Sequence, residues 1–281
     1  MTQVLRSVAE LRSWRKALPP QQSLGLVPTM GALHRGHMSL VELSQERCDT
    51  TLVSIFVNPL QFGPSEDLAK YPRPLEADLA LLEAVGVDAL FLPGTSDLYP
   101  PGASTFVVEE SVSAPLCGAF RPGHFRGVAT VVLKLFNLSQ PHVAFFGQKD
   151  AQQCAVIERM VRDLDVPVEI VRGPIVRESD GLALSSRNVY LNPAERAAAP
   201  RLFESLNAAQ AAYAAGERRA DRLVAAGRAV LASEPLIRVQ YWEVRDPVSL
   251  DELERIGEGG ALLAVAAHLG ATRLIDNIVV G

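Results

Sequence analysis

Short apolar runs alternating with amphipathic helices over the first 175 residues predict an α/β protein built on a parallel sheet, with a smaller C-terminal α+β domain after it. Three observations carry the prediction. Residues 24–27, 51–57 and 143–146 are nearly continuous apolar runs rich in Val, Leu, Ile and Phe, as strands buried on both faces require. Helical periodicity fills the intervals between them. From Pro193 the composition shifts to Ala-rich helical stretches over residues 194–233, followed by runs at 237–244, 261–268 and 273–280 that read as strands with no helix between them.

Taken in order, Val8, Leu11, Trp14, Arg15 and Leu18 predict an opening helix that Pro19 and Pro20 stop. Residues 24–27 form the first strand, ended by Pro28 and Gly31, and Leu33, His37, Leu40 and Val41 recur at helical spacing beyond the turn. After the strand at 51–57 comes the turn Asn58-Pro59-Leu60-Gln61-Phe62-Gly63, whose two amides sit where parallel sheets bind ligands. Leu75, Leu79, Leu82 and Val85 give an amphipathic helix ending at Gly86, with Asp78 off its apolar stripe, and residues 89–92 a third strand. Residues 104–109 read as a further strand. The stretch 121–127 (RPGHFRG) reads as a basic, Gly-rich, mobile loop over the substrate, preceding a helix at 128–138. The strand at 143–146 leads into Gly147-Gln148-Lys149-Asp150 and a helix through Val161; a lysine there adds its charge to the positive helix end and suits a phosphate. A strand at 168–171, a tight turn at Asp180-Gly181 and the stretch 182–188 (LALSSRN) complete this part. The domain boundary falls near residue 175, giving 1–175 and 176–281.

Hydrophobic residues at 48% and charged residues at 21% are those of a globular enzyme, and a net charge of −5 argues against general nucleic-acid binding. The first ten residues lack the apolar core of a secretory leader, and no run reaches the roughly 20 apolar residues that span a bilayer, so a cytoplasmic protein is expected. Cys48, Cys117 and Cys154 are odd in number and widely spaced, which predicts buried free thiols.

The chemistry is concentrated at His34-Arg35-Gly36-His37, between the first strand and its helix. Backbone amides at a helix start collect phosphate oxygens, and Gly36 lets a ligand approach, so two imidazoles leaving the turn together can donate to one anion. A zinc site would need three or four ligands, and no Cys or His cluster supplies the rest. The segment resembles the His-x-Gly-His signature of the nucleotidylyl transferase superfamily, which includes class I aminoacyl-tRNA synthetases.

The blocks at 28–37 (PTMGALHRGH), 54–62 (SIFVNPLQF), 71–73 (YPR), 121–128 (RPGHFRGV), 145–150 (FFGQKD) and 180–188 (DGLALSSRN) together resemble the pantoate–β-alanine ligase family over nearly the whole chain. That resemblance implies a Rossmann-like nucleotide- and pantoate-binding domain with a C-terminal lid. It implies ATP-dependent condensation of (R)-pantoate with β-alanine through a pantoyl-adenylate, with AMP and pyrophosphate released, magnesium assisting, and a homodimer with neither nucleic-acid nor membrane partners. By the same resemblance Met30, Gly31, Ala32, Leu33, His34, Arg35, Gly36 and His37 form the first ATP-binding block, with His37 a proton donor and His34 a triphosphate contact. Gln61 and Gln153 hold pantoate, with Asn58 beside them, and Gln61 also faces β-alanine. Gly147, Gln148, Lys149 and Asp150 hold the adenosine side and phosphate, Val176 touches the nucleotide, and Leu184, Ser185, Ser186 and Arg187 replace the synthetases' lysine loop. His34, His37, Lys149 and Arg187 are the expected catalytic residues, and Asp78 is a candidate magnesium ligand. The rival readings are a nucleotidylyltransferase, which leaves the nucleotide on its product, and a non-catalytic ATP sensor, which has no use for amides suited to a second substrate. A tRNA synthetase would need a further domain and a basic surface.

Overall fold

The structure, a computed structural model, describes residues 1–64 and 66–281. Its first part runs β1 (Gln3–Leu5), α1 (Val8–Ala17), β2 (Leu24–Thr29), α2 (Arg35–Arg47), β3 (Thr50–Ile55), α3 (Leu75–Ala84), β4 (Ala89–Phe91), α4 (Thr95–Leu98), α5 (Cys117–Phe120), α6 (His124–Ser139), β5 (Val143–Gly147), α7 (Ala151–Asp163) and β6 (Glu169–Gly173). These six strands make one parallel sheet in the order β1-β4-β3-β2-β5-β6. The chain works outward from β2 through β3 and β4, then returns to lay β5 on the other side of β2. The order therefore reverses between β2 and β5, the topological switch point where open α/β sheets bind ligands.

Pro28 widens that point. β2 continues through it to Thr29 rather than ending there, and pairs with β3 along its whole length. On the other side β2 pairs with β5 only at Gly25 and Leu26, before the residue that lacks an N–H. Beyond Leu26 the two strands part and a crevice opens.

The second part holds α8 (Pro193–Ala198), α9 (Arg201–Ala214), α10 (Ala220–Ala232) and the antiparallel sheet β7 (Ile237–Arg245), β8 (Ala261–Leu269), β9 (Thr272–Val280). Alternation along β7 and β8 gives this sheet two buried faces. Trp242, Leu263, Val265 and Ala267 pack among residues of α9 and α10, while Tyr241, Leu262, Ala264 and Ala266 join the core of the parallel sheet with α6 and α7. The two parts thus share apolar packing. The three cysteines are buried and free.

Four expectations change. β1 goes unpredicted because a three-residue edge strand shows no periodicity. Residues 104–109 form no strand: the segment runs extended along α6, with the Val107 N–H donating to Thr130 Oγ1 and the Phe106 ring 3.7 Å from the Arg126 guanidinium. The basic loop is shorter than expected, because α6 already begins at His124, and His124, Phe125 and Gly127 are buried. Asp78, off the apolar stripe of its helix, is nevertheless buried, at 2% exposed, for a reason that belongs to the site.

Candidate active site

The turn after β2 is built by two successive left-handed residues, Gly31 (φ 82°) and Ala32 (φ 51°), which aim the next amides inward. Ala32 N–H and Leu33 N–H donate to the two carboxylate oxygens of Asp78 at 2.8 and 2.7 Å. Asp78 therefore holds the turn from beneath, each of its carboxylate oxygens engaged by a backbone N–H. The expected amide nest for phosphate is likewise occupied, since the Gly36 N–H donates to His34 Nδ1 (3.1 Å) and the His34 N–H to His37 Nδ1 (3.3 Å) in a reciprocal helix cap.

That cap fixes the chemistry of both rings. With each Nδ1 accepting from a backbone N–H, the proton of each neutral imidazole must lie on Nε2. The rings lie 4.1 Å apart between centroids. Burial lowers His34 to about 4, with Lys149 adding to the effect, and burial lowers His37 to about 3, with His34 as the next cause. Near neutral pH the pair thus offers uncharged Nε2–H donors.

Both rings line one cavity of about 210 Å³ at the switch point. From the predicted set, Met30, Gly36, Gly147, Lys149, Asp150, Val176, Leu184, Ser185, Ser186, Arg187, Asn58, Gln61 and Gln153 line it too. Gly31, Ala32, Leu33 and Arg35 do not; they build the turn, and Arg35 is exposed. Gln148 also stays outside, its amide committed to Asn277 Oδ1 (3.1 Å) and Arg172 (3.3 Å). Lys149 lines the cavity with the Asp150 carboxylate 3.8 Å from its ammonium.

The two amides after β3 divide their duties. Asn58 is fully buried and spends every bond internally, donating to Gln61 Oε1 (3.1 Å) and Gly127 O (3.0 Å) and accepting from the Tyr99 hydroxyl (2.9 Å) and Leu60 N–H. It positions Gln61. Gln61 donates to Met30 Sδ and keeps one N–H for the cavity. Gly127 lets α6 sit directly on this turn, since a Cβ there would lie 2.4 Å from the Leu60 carbonyl. Val128, Val131, Val132 and Leu135 of α6 make the apolar wall.

The rim contains residues that sequence reasoning missed. Arg187 pairs with Asp67 through two bonds of 3.0 and 3.1 Å, Tyr71 meets Ser186 at 3.1 Å, and the Tyr190 hydroxyl donates to Lys70 O at 2.9 Å. Arg121 pairs with Glu66 and with His124, whose Nδ1–H donates to Gln61 O at 2.8 Å. The basic stretch is therefore anchored to the site rather than free. The YPR block was the one signal that could have marked Tyr71. Among the described residues no cluster of three metal-ligating side chains occurs.

Fold and site together define an α/β enzyme with a cavity of imidazole, cationic and amide side chains at the switch point of its sheet. Comparison with known proteins narrows this. The profile of the family described as Pantoate-beta-alanine ligase matches residues 3–279. Pantothenate synthetase of Chloroflexus aurantiacus is 58% identical over 274 residues, covering 98% of this chain and 96% of that protein, and that of a Roseiflexus species is 59% identical over 276 residues, covering 98% of each. Among solved structures, the pantothenate synthetase of Thermus thermophilus superposes with a TM-score of 0.94 at 49% identity, covering 99% of both chains. A Francisella tularensis pantoate–beta-alanine ligase, solved with beta-gamma ATP and beta-alanine, gives 0.82 at 32% identity, covering 99% of this chain and 98% of that one. The chain belongs to the pantoate–β-alanine ligase family.

Proposed function

We propose that this enzyme condenses (R)-pantoate with β-alanine at the expense of ATP, by way of a pantoyl-adenylate. The observation that carries this reading is the union, in one cavity, of a nucleotide-type cationic and imidazole rim with amides suited to a small hydroxy acid. The pantoate carboxylate attacks the α-phosphorus and pyrophosphate leaves; the β-alanine amine then attacks the acyl carbon and AMP leaves. Charge spreads onto phosphoryl oxygens in the first step, and donors already aimed there lower its barrier. His34 and His37 supply Nε2–H bonds, Lys149 a point charge, and Ser185, Ser186 and Arg187 close the opposite side. Bound phosphates raise the imidazole basicity, so His37 can take up a proton once its Nδ1 releases the His34 N–H, and pass the Nε2 proton to the departing pyrophosphate.

Gln61 and Gln153 hold pantoate against the apolar wall of α6, and Val176 and Gly147 border the nucleoside. Residues 1–175 serve as the binding unit and 176–281 supply the cover, through the 176–190 segment. Arg187, engaged by Asp67, can exchange that carboxylate for phosphate. A magnesium ion fits as a companion of the triphosphate: it needs few protein ligands, and Asp150 is the acidic side chain lining the cavity. When bound it neutralises phosphate charge. By family resemblance the enzyme works as a cytoplasmic homodimer.

Product analysis tests the reading. Incubation with ATP, pantoate and β-alanine should yield pantothenate and AMP in equal amounts. A product that retains the nucleotide would make the protein a nucleotidylyltransferase, and ATP left unconsumed would make it a binding protein.

A further inference from the structure

We propose that Asn277, on β9 of the C-terminal sheet, is a positioning residue for Lys149. The inference rests on the reading of Lys149 as a phosphate partner. Asn277 is 3% exposed and stands where β9 meets the turn after β5. Its Nδ2 donates to the carbonyls of both Gln148 and Lys149, each at 3.0 Å, and its Oδ1 accepts from Gln148 Nε2 at 3.1 Å. The orientation is determined by chemistry: two carbonyls only accept, so the nitrogen must face them. Gln148 is oriented in turn, because its Oε1 accepts from Arg172, which only donates and which Glu158 holds at 2.6 Å.

The chain Glu158–Arg172–Gln148–Asn277 thus locks two successive peptide units of the Lys149 turn. A turn of three residues has few internal hydrogen bonds, and the aim of a long side chain depends on how firmly its backbone is held. The preceding residue completes the device. Asp276 points to the other face of β9 and takes both Arg177 guanidinium nitrogens, at 2.6 and 2.9 Å, while Arg177 also donates to Gly181 O. Arg177 opens the hairpin that carries Leu184 to Arg187. Two adjacent residues of one strand therefore register the two phosphate-facing segments of the site against each other from the domain that covers it.

The test is a double-mutant cycle on Asn277→Ala and Lys149→Ala, read both as ATP affinity by calorimetry and as the rate of pyrophosphate–ATP exchange with pantoate, with thermal unfolding as a check on folding. Asn277→Asp and Asn277→Ser serve if the alanine variant does not fold. Loss of positioning is worth about tenfold to a hundredfold in exchange rate. That loss should appear in the maximal rate and ATP affinity, leave half-saturation by pantoate unchanged, and vanish when Lys149 is already alanine. Multiplicative losses in the double variant, or a Lys149→Ala variant with normal ATP affinity and exchange, would overturn the proposal. Wild-type protein that binds ATP without exchange would refute the ligase reading alone, while the affinity cycle still decides the role of Asn277; wild-type protein that binds no ATP would overturn both.

Discussion

His34 and His37 act as a pair because each ring's Nδ1 is engaged by the backbone, which leaves both Nε2–H groups for the cavity. Replacing His37 by Ala should slow adenylate formation roughly 100- to 1,000-fold, about 2.7–4 kcal/mol, with pantoate half-saturation little changed, because such a bond forms fully only in the transition state. Gln61→Ala should instead weaken pantoate binding by about 1–3 kcal/mol. Single-turnover kinetics with pantoate varied separates the two; a His37→Ala defect confined to half-saturation would contradict the assignment. The pH behaviour follows from the same burial. Both folded-state values, about 4 and about 3, lie below 6.5, so the unfolded chain binds more protons between them. This stabilising contribution is complete above about pH 6.5 and is lost as pH falls through about 4 and 3. Urea midpoints should decline from pH 7 to 5, less steeply in His37→Asn; equal slopes would contradict it. The histidine pair was legible because its partners lie within three residues. Asp78, Asn58 and Asp67 were not, since burial and partners 45 to 120 residues away decide what those side chains do.

Strands and helices were legible wherever periodicity was long. Periods of 3.6 and continuous apolar runs placed α1 to α3, β2 to β6 and the C-terminal strands to within a few residues. The failures lay where tertiary contact overrides pattern: the 104–109 segment is extended because it lies on α6, and α6 starts early because His124 and Gly127 pack onto the turn at residues 59–61. Gly127→Ala tests that contact. Its methyl would sit 2.4 Å from the Leu60 carbonyl, so the variant should lose about 1–3 kcal/mol of stability as an overpacked site and bind pantoate more weakly. Urea unfolding with pantoate titration checks both; unaltered stability would mean that the turn yields freely.

The whole molecule couples its two sheets. The antiparallel sheet was legible as three runs after residue 233 with no helix between them, but the shared core of Tyr241, Leu262, Ala264 and Ala266 with α6 and α7 was not, because small-sheet residues show only that they are buried, not against what. Such packing predicts one cooperative thermal transition, and two resolved transitions in calorimetry would contradict it. It also means that a movement of the whole C-terminal part would break that core.

All of this depends on pantoate being activated as an adenylate before the amine acts, and isotope transfer tests that claim most directly. Pantoate labelled with ¹⁸O in its carboxylate, incubated with ATP, magnesium and β-alanine, should deliver one labelled oxygen to each AMP formed, because the carboxylate oxygen that attacks the α-phosphorus stays with it when the amide forms. AMP free of label, or label appearing in pyrophosphate or ADP, would contradict the account.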